Sequence, residues 1–308
     1  MFLRGAKVLN MDRLFESVGA KGHVCVGLDT AADYVPPAER RKAASDADAV
    51  LAFNKVVIES TFDAAACYKV QIAYYEEMGL AGLSAYSQTL KCIRDKGGIA
   101  IADIKRGDIA DTALRYAKAH FAGDFEADFV TLSPYMGMDS IEPWLSYADS
   151  NGKGAFVLMR TSNKGMRDFE YLELKHGDGG NRLYHAVGNK LAQLAAAHMG
   201  THGYGAFGAV VGCTEREEAA DIRRNYPTLF FLIPGYGAQG GAADDAALLL
   251  REGNGGVVNA SRSIITAWSA ELKKSGGDES SATNALVAEA ARSAALTMRD
   301  AIRAAVQQ

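Results

Sequence analysis

Three charged side chains carry the strongest chemical signal in this sequence: Asp103, Lys105 and Asp108, in the run Asp103-Ile104-Lys105-Arg106-Gly107-Asp108-Ile109. They close an apolar stretch, Ile99-Ala100-Ile101-Ala102, whose small and branched residues read as a buried strand. Side chains two apart on a strand point the same way, so Asp103 and Lys105 project together from its C-terminal end. Asp108 falls past that end, where the chain turns into a helix predicted over residues 109–121. A carboxylate beside a lysine keeps the amine protonated, and a protonated lysine held in a cleft can deliver a proton to a developing carbanion. A solvated turn or a structural ion-pair network uses the same residue types. Three such charges in this spacing on an otherwise apolar strand favour a site.

Positioning these groups requires a scaffold, and the chain supplies a regular one. Apolar runs at residues 23–29, 66–71, 99–104, 129–133, 154–159, 206–212, 229–233 and 256–259 read as eight strands, nearly all followed by a helix. The predicted helices include a short leading one at 12–18, then 38–61, 74–95, 109–121, 214–225 with Thr214 as N-cap, 241–252 and 284–306. Such alternation implies parallel strands with right-handed crossovers, and eight units in about 300 residues fit a closed (β/α)8 TIM barrel. An open doubly wound sheet is the competing architecture. No linker or repeat divides the chain, so residues 1–308 are expected to form one barrel domain. The polar, Gly-rich segment 163–182, with His176-Gly177-Asp178-Gly179-Gly180, reads as an insertion after the fifth strand and a candidate lid.

Composition narrows the class. The chain has 308 residues, 48% of them hydrophobic, and a formal net charge of −4, which gives no electrostatic footprint for nucleic acid. Cys25, Cys67, Cys92 and Cys213 show no Cys-x-x-Cys spacing and fit free thiols in a reducing compartment. The start, Met1-Phe2-Leu3-Arg4-Gly5-Ala6-Lys7, lacks the apolar core of a signal peptide, and no run is long enough to span a membrane. A soluble, cytoplasmic protein is expected.

If the strands close into a barrel, their C-terminal ends converge on one mouth, where Asp29, Lys69, Asp103, Lys105, Asp108, Ser133, Ser162, Gln239 and Arg262 meet. A second motif, Pro234-Gly235-Tyr236-Gly237-Ala238-Gln239-Gly240-Gly241, satisfies Gly-x-Gly-x-x-Gly between a strand and a helix. The acidic residue expected about 20 positions on for a dinucleotide is missing. Arg262 follows the next strand instead, so either a phosphorylated dinucleotide or a single phosphate gripped by the glycine loop and the guanidinium is consistent. His198 and His202 have helical spacing but no third ligand, and a helix end is the simpler reading. Trp144 and Trp268 fit packing roles.

These residues together resemble the orotidine 5′-phosphate decarboxylase family, in its longer bacterial branch. Asp103-Ile104-Lys105-Arg106-Gly107-Asp108-Ile109-Ala110-Asp111-Thr112 is similar to its Asp-x-Lys-x-x-Asp-Ile-x-x-Thr signature, and the 234–241 loop to its phosphate-gripping loop. Ser261-Arg262-Ser263-Ile264 resembles its Gly-Arg-x-Ile, with Ser261 in place of the usual glycine. The resemblance runs from about residue 24 to 265. It implies decarboxylation of orotidine 5′-monophosphate to UMP in pyrimidine biosynthesis, without metal or organic cofactor, by a homodimer with shared active sites. Lys69, Asp103, Lys105 and Asp108 would form the charged tetrad, with Lys105 protonating C6 of a vinyl carbanion. Asp29 and Lys69 would hold ribose hydroxyls, Ser162 the pyrimidine and Gln239. Pro234, Gln239, Gly240 and Arg262 would surround the phosphate, and Asp108, Ile109 and Thr112 would reach across from the partner.

Two alternatives stay open. Magnesium-binding sugar-phosphate decarboxylases and aldolases of the same superfamily resemble the chain around Asp103 and Lys105. They carry an acidic metal ligand where Lys69 stands, and an ammonium there repels a cation. A nucleotide-binding barrel without catalysis has no need of two lysines opposed by two aspartates. No phosphoribosyltransferase-like second domain is read, so a bifunctional product is not expected.

Overall fold

The computed structural model describes residues 8–175, 182–237 and 240–307. Eight parallel strands close into a barrel in sequence order: β1 Val24–Leu28, β2 Cys67–Gln71, β3 Ala100–Arg106, β4 Phe129–Leu132, β5 Gly154–Arg160, β6 Phe207–Val211, β7 Phe231–Ile233 and β8 Gly256–Ala260. The (β/α)8 reading is therefore borne out, and the open sheet is excluded, because β8 pairs with β1 through Val24↔Val258 and Cys25↔Asn259. All eight strand runs sit where the apolar pattern places them, with ends shifted by one or two residues.

Strand alternation divides the apolar residues into two layers. Val24, Val26 and Leu28 point outward and join a large cluster with Val57, Tyr86, Trp144 and Ile302 of the surrounding helices. Cys25, Cys67, Ile101, Phe129, Phe156 and Val257 point inward and fill the barrel. Phe129 and Phe156 lie 5.2 Å apart and Phe156 and Phe230 6.4 Å apart between ring centroids, an aromatic floor under the mouth. Below it, the leading helix Asn10–Lys21 turns Met11, Leu14 and Val18 into the same inner cluster and closes the bottom of the barrel. The interior is thus filled below, and the charged side chains lie at the C-terminal ends of the strands.

Several helix expectations need correction. The stretch 38–61 is two helices, Pro37–Arg40 and Asp46–Thr61. Ser45 adopts an extended backbone and its hydroxyl accepts from the Asp48 N–H at 3.1 Å, starting a new helix rather than continuing the old one. The stretch 74–95 is split into Ala73–Glu76 and Gly79–Asp95, because Gly79, at the start of the second helix, has a left-handed φ of +66° that a continuous helix would not pass through. Thr214 does not cap the next helix. That helix runs Arg216–Asn225, and Thr214 Oγ1 is buried without a hydrogen-bond partner. The predicted 241–252 helix shrinks to Ala243–Ala247, because Leu249 and Leu250 turn inward to be buried. The last helix, Asn284–Val306, matches its expected bounds. In the segment after β5, a short helix Met166–Phe169 is followed by antiparallel pairing of Glu173 with Arg182. Its stretch from His176 to Gly180 lies outside the described residues.

Candidate active site

A cavity of about 400 Å³ opens at the C-terminal mouth of the barrel. Among its walls are Asp29, Lys69, Asp103, Lys105, Ser162, Pro234 and Arg262, contributed by six different strand ends. The expectation that these residues converge is met.

At the base of the cavity, four charged groups alternate in sign. Lys69 Nζ donates to Asp29 Oδ1 at 3.1 Å and to Asp103 Oδ2 at 2.8 Å, and Lys105 Nζ donates to Asp103 Oδ1 at 2.6 Å. The order Asp29–Lys69–Asp103–Lys105 is a chain of attractive neighbours, with like charges kept one position apart. The side chains of Lys69 and Asp103 are 7% and 6% exposed, whereas that of Lys105 is 47% exposed. The free end of the chain is therefore a lysine that faces the cavity. Burial alone would push the Asp103 carboxyl up, but Lys69 and Lys105 outweigh it and hold the group well below the usual carboxylate range. Burial pulls the Lys69 ammonium down, and Asp103 and Asp29 more than reverse it. Both groups keep their charges throughout the ordinary pH range.

Two polar residues overlooked in the sequence complete this array. Thr131 Oγ1 donates to Asp103 Oδ1 at 2.7 Å, and Gln71 Nε2 donates to Asp103 Oδ2 at 3.0 Å. Asp103 thus accepts two hydrogen bonds on each oxygen. Threonine is common in any strand, so the composition of Phe129-Val130-Thr131-Leu132 gave no alarm. The available signal was parity: Thr131 shares the face of Phe129, and Gln71 that of Lys69, both pointing into the barrel. Asn259 was overlooked in the same way and lines the cavity from β8.

Ser261, at the position where a glycine was expected, donates its hydroxyl hydrogen to Asp29 Oδ2 at 2.9 Å. Gly27 on the adjacent strand makes room for it, since a Cβ there would lie 2.0 Å from Ser261 Oγ. Arg262 lines the cavity together with Gly235 and Tyr236 of the glycine loop. That loop is tightly closed on itself: the Gly237 N–H donates to Gly241 O at 2.9 Å, and the Gly241 N–H to Gly235 O at 3.1 Å. Gly235, Gly237 and Gly240 have φ of +101°, +70° and +94°, which only glycine adopts without strain. The helix that follows is one turn long, and Asp245 accepts from the Ala242 N–H at 3.0 Å. A carboxylate already caps the turn that a dinucleotide pyrophosphate would need, so the dinucleotide expectation loses its structural basis.

Other expected residues lie away from the cavity of this chain. Asp108 Oδ1 accepts from the Ile109 N–H at 2.8 Å, and Ile109 and Thr112 face solvent. None of the three lines the cavity. Gly240 is exposed beside it, and Gln239 lies outside the described residues. Ser133 does not line the cavity either; its N–H donates to Arg106 O at 2.8 Å. His198 and His202 diverge: His198 ends the helix Leu183–Ala197 and pairs with Asp149, while His202 pairs with Glu16. Among the described residues no three His, Cys, Asp or Glu side chains converge as metal ligands.

The sequence model of the orotidine 5′-phosphate decarboxylase/HUMPS family matches residues 22–273. The chain belongs to that family. An orotidine 5′-phosphate decarboxylase of Clostridium perfringens is 54% identical over 295 residues, covering 96% of this chain and 98% of its own. The Clostridium acetobutylicum protein of the same name is 54% identical over 293 residues, with 95% and 98% covered. Among solved structures, the OMP decarboxylase of Leishmania donovani superposes with a TM-score of 0.73 at 31% identity, covering 97% of this chain and 98% of that one. The UMP synthase of the same organism gives 0.74 at 34% identity, and this chain covers 57% of its longer chain. Family membership extends over every strand and over all the cavity residues named above.

Proposed function

We propose that the protein converts orotidine 5′-monophosphate into UMP and carbon dioxide in pyrimidine biosynthesis. The observation that carries this reading is the Lys69–Asp103–Lys105 array at the base of a cavity rimmed by Arg262. It occurs in a chain 54% identical to a relative named for that reaction. In the proposed complex the phosphate lies against Arg262 and the loop containing Pro234, Gln239 and Gly240. Asp29 and Lys69 take the ribose hydroxyls, and Ser162 meets the pyrimidine edge. This orientation sets the C6 carboxylate toward Asp103 and C6 itself toward Lys105.

The chemistry is then a bond cleavage followed by a proton transfer. The C6–carboxylate bond breaks, carbon dioxide leaves, and the electron pair stays on C6. Lys105 Nζ supplies the proton that forms the C6–H bond and regains one from solvent. Until transfer, its positive charge stabilises the carbanion in a site shielded from water. Asp103 holds the lysine in place and keeps it charged. The charge at C6 is met by the adjacent Lys105 ammonium, so we assign no resident metal or organic cofactor. Contacts to the remote phosphate supply binding energy that orients the reacting end.

We further propose a homodimer with shared sites. Ile109, Tyr135, Met136 and Phe169 are large apolar side chains left exposed near the mouth of the barrel, and Tyr135 and Phe169 stack edge to face. Asp108, Ile109 and Thr112 do not line the cavity of their own chain, which fits service to a partner's. We read residues 1–308 as one barrel domain. No described helix is long and apolar enough to cross a membrane. Together with free cysteines at 25, 67, 92 and 213, this supports a cytoplasmic location.

The competing reading is the magnesium-dependent sugar-phosphate branch, represented in the family name as HUMPS. Lys69, in the middle of β2 and bonded to two carboxylates, opposes a cation there. An ultraviolet assay of the purified protein with orotidine 5′-monophosphate in EDTA separates the two. Loss of the orotate chromophore with appearance of UMP is the expected result. Turnover only after magnesium is restored would transfer the protein to the other branch. Binding without turnover in either condition would leave a nucleotide-binding barrel.

A further inference from the structure

The hydroxyl of Thr131 does more than contact Asp103. It also accepts two backbone hydrogen bonds, from the Ile104 N–H and the Lys105 N–H, both at 3.0 Å. These come from the place where the β3–β4 ladder is irregular. Ala102 pairs with Val130, but the next registered pair is Arg106 with Leu132, so β3 spends four residues where β4 spends two. In a regular ladder the N–H groups of that stretch would find carbonyls on β4. Here the extra residues bulge, and a side-chain oxygen takes the donors instead. Lys105 sits at the top of the bulge with a φ of +44°, a left-handed conformation that a lysine rarely adopts. That conformation turns its side chain back along the strand, so that Nζ reaches Asp103 two residues earlier. Thr131 is 1% exposed, so no bulk water replaces its hydroxyl.

We propose that Thr131 is a positioning residue for the proton donor. Its one oxygen fixes both ends of the Asp103–Lys105 contact: it holds the carboxylate directly, and it holds the lysine through the backbone of the bulge. Valine has the same shape and lacks the oxygen. With valine at 131, the Ile104 and Lys105 N–H groups lose their acceptor, the first of them buried, the bulge relaxes, and Lys105 no longer points at the reacting carbon. Binding determinants lie elsewhere, on Arg262, Asp29 and Ser162, and stay in place.

This inference rests on the assignment of Lys105 as the proton donor, so the experiment measures both. Thr131→Val, Thr131→Ser and Lys105→Ala are assayed for kcat and KM with orotidine 5′-monophosphate, with thermal unfolding recorded for each. Thr131→Val is expected to lower kcat by about 10²-fold, the order seen when a reacting group is misplaced by about 1 Å, with KM changed less than about threefold. Thr131→Ser, which restores the oxygen, is expected to recover kcat to within about threefold of the parent, within the usual cost of a lost methyl group. A normal kcat for Thr131→Val, with Lys105→Ala inactive, would overturn the role of Thr131 alone. An active Lys105→Ala would overturn the donor assignment instead. An equal loss in the serine and valine variants would reduce Thr131 to a packing residue and also overturn the proposal. If the valine variant does not fold, Thr131→Ala carries the same comparison against serine, because it too lacks the oxygen.

Discussion

Ser261 and Asp29 are joined by a hydrogen bond of 2.9 Å across the β1–β8 seam, and the seam can hold it only because residue 27 has no side chain. Asp29 in turn steadies Lys69, so the contact is the far end of the charged chain that finishes at Lys105. A Cβ on Gly27 would come within 2.0 Å of Ser261 Oγ and would force that hydroxyl away. Gly27→Ala is therefore expected to raise KM about 10-fold, the worth of one hydrogen bond to a charged group. Removing the obstacle with Ser261→Gly in the same chain should recover part of the loss. Steady-state kinetics on the two single variants and the double variant test this coupling, and strict additivity would sink it.

Lys105 is the more exposed lysine of the array, its side chain 47% exposed against 7% for Lys69. Lys105→Ala is expected to lower kcat by at least about 10²–10⁴-fold, the range for a positioned general acid. UMP affinity, measured by calorimetry, should change only a few-fold. Loss of binding in parallel with turnover would make Lys105 a ligand-holding residue and leave the proton source unassigned.

Asp108 and Lys105 lie on opposite sides of the Gly107 turn, and only Lys105 reaches the cavity of its own chain. In a dimer with shared sites, Lys105→Ala and Asp108→Asn inactivate complementary halves. Equal amounts of the two inactive proteins, unfolded and refolded together, should regain about a quarter of the parental activity, because half the dimers are mixed and each carries one intact site. No recovery, with a dimer confirmed by sedimentation, would place Asp108 in the site of its own subunit.

His120 supplies a pH-dependent contribution to stability remote from the substrate. It is buried against Phe125, and burial, with Arg106 nearby, pulls its pKa down to about 4. Above the ordinary histidine pKa the ring is neutral in both states and the full stability is present. As pH falls from about 6.5 towards 4, the unfolded chain takes up a proton that the folded one refuses, and about 3 kcal/mol is lost. Urea unfolding at pH 7 and pH 4.5 should show His120→Gln losing less stability between the two than the parent does. An equal loss would show that His120 does not set this slope.

Much of this architecture was legible because parallel strands are buried on both faces. Runs such as Val24-Cys25-Val26 or Phe129-Val130 stand out against any helix pattern, and closure followed from their number. Helix ends were less legible because tertiary demands set them: Gly79 in a left-handed turn, Ser45 restarting a helix, and Leu249 and Leu250 drawn into the core. In the site, formal charges announced themselves, and Asp103, Lys105, Lys69 and Asp29 were found by type and spacing. Thr131, Gln71 and Asn259 were missed because an uncharged polar residue in a strand has an ordinary explanation. Only knowing which face of each strand lines the cavity separates them from surface positions.

The left-handed backbone at Lys105 has a consequence for how this molecule is traded between endurance and use. A residue with a Cβ is disfavoured there by about 1 kcal/mol relative to glycine, and the Lys105 ammonium meets a carboxylate that also accepts three other donors. Lys105→Gly should therefore melt no lower than Lys105→Ala, and higher if the backbone term dominates, while both are inactive. Calorimetric melting of the pair reads that term directly, and an alanine variant melting above the glycine variant would refute it. The pair isolates the cost of the backbone angle from the ion pair, which the parent lysine makes with Asp103 at 2.6 Å and both variants lack.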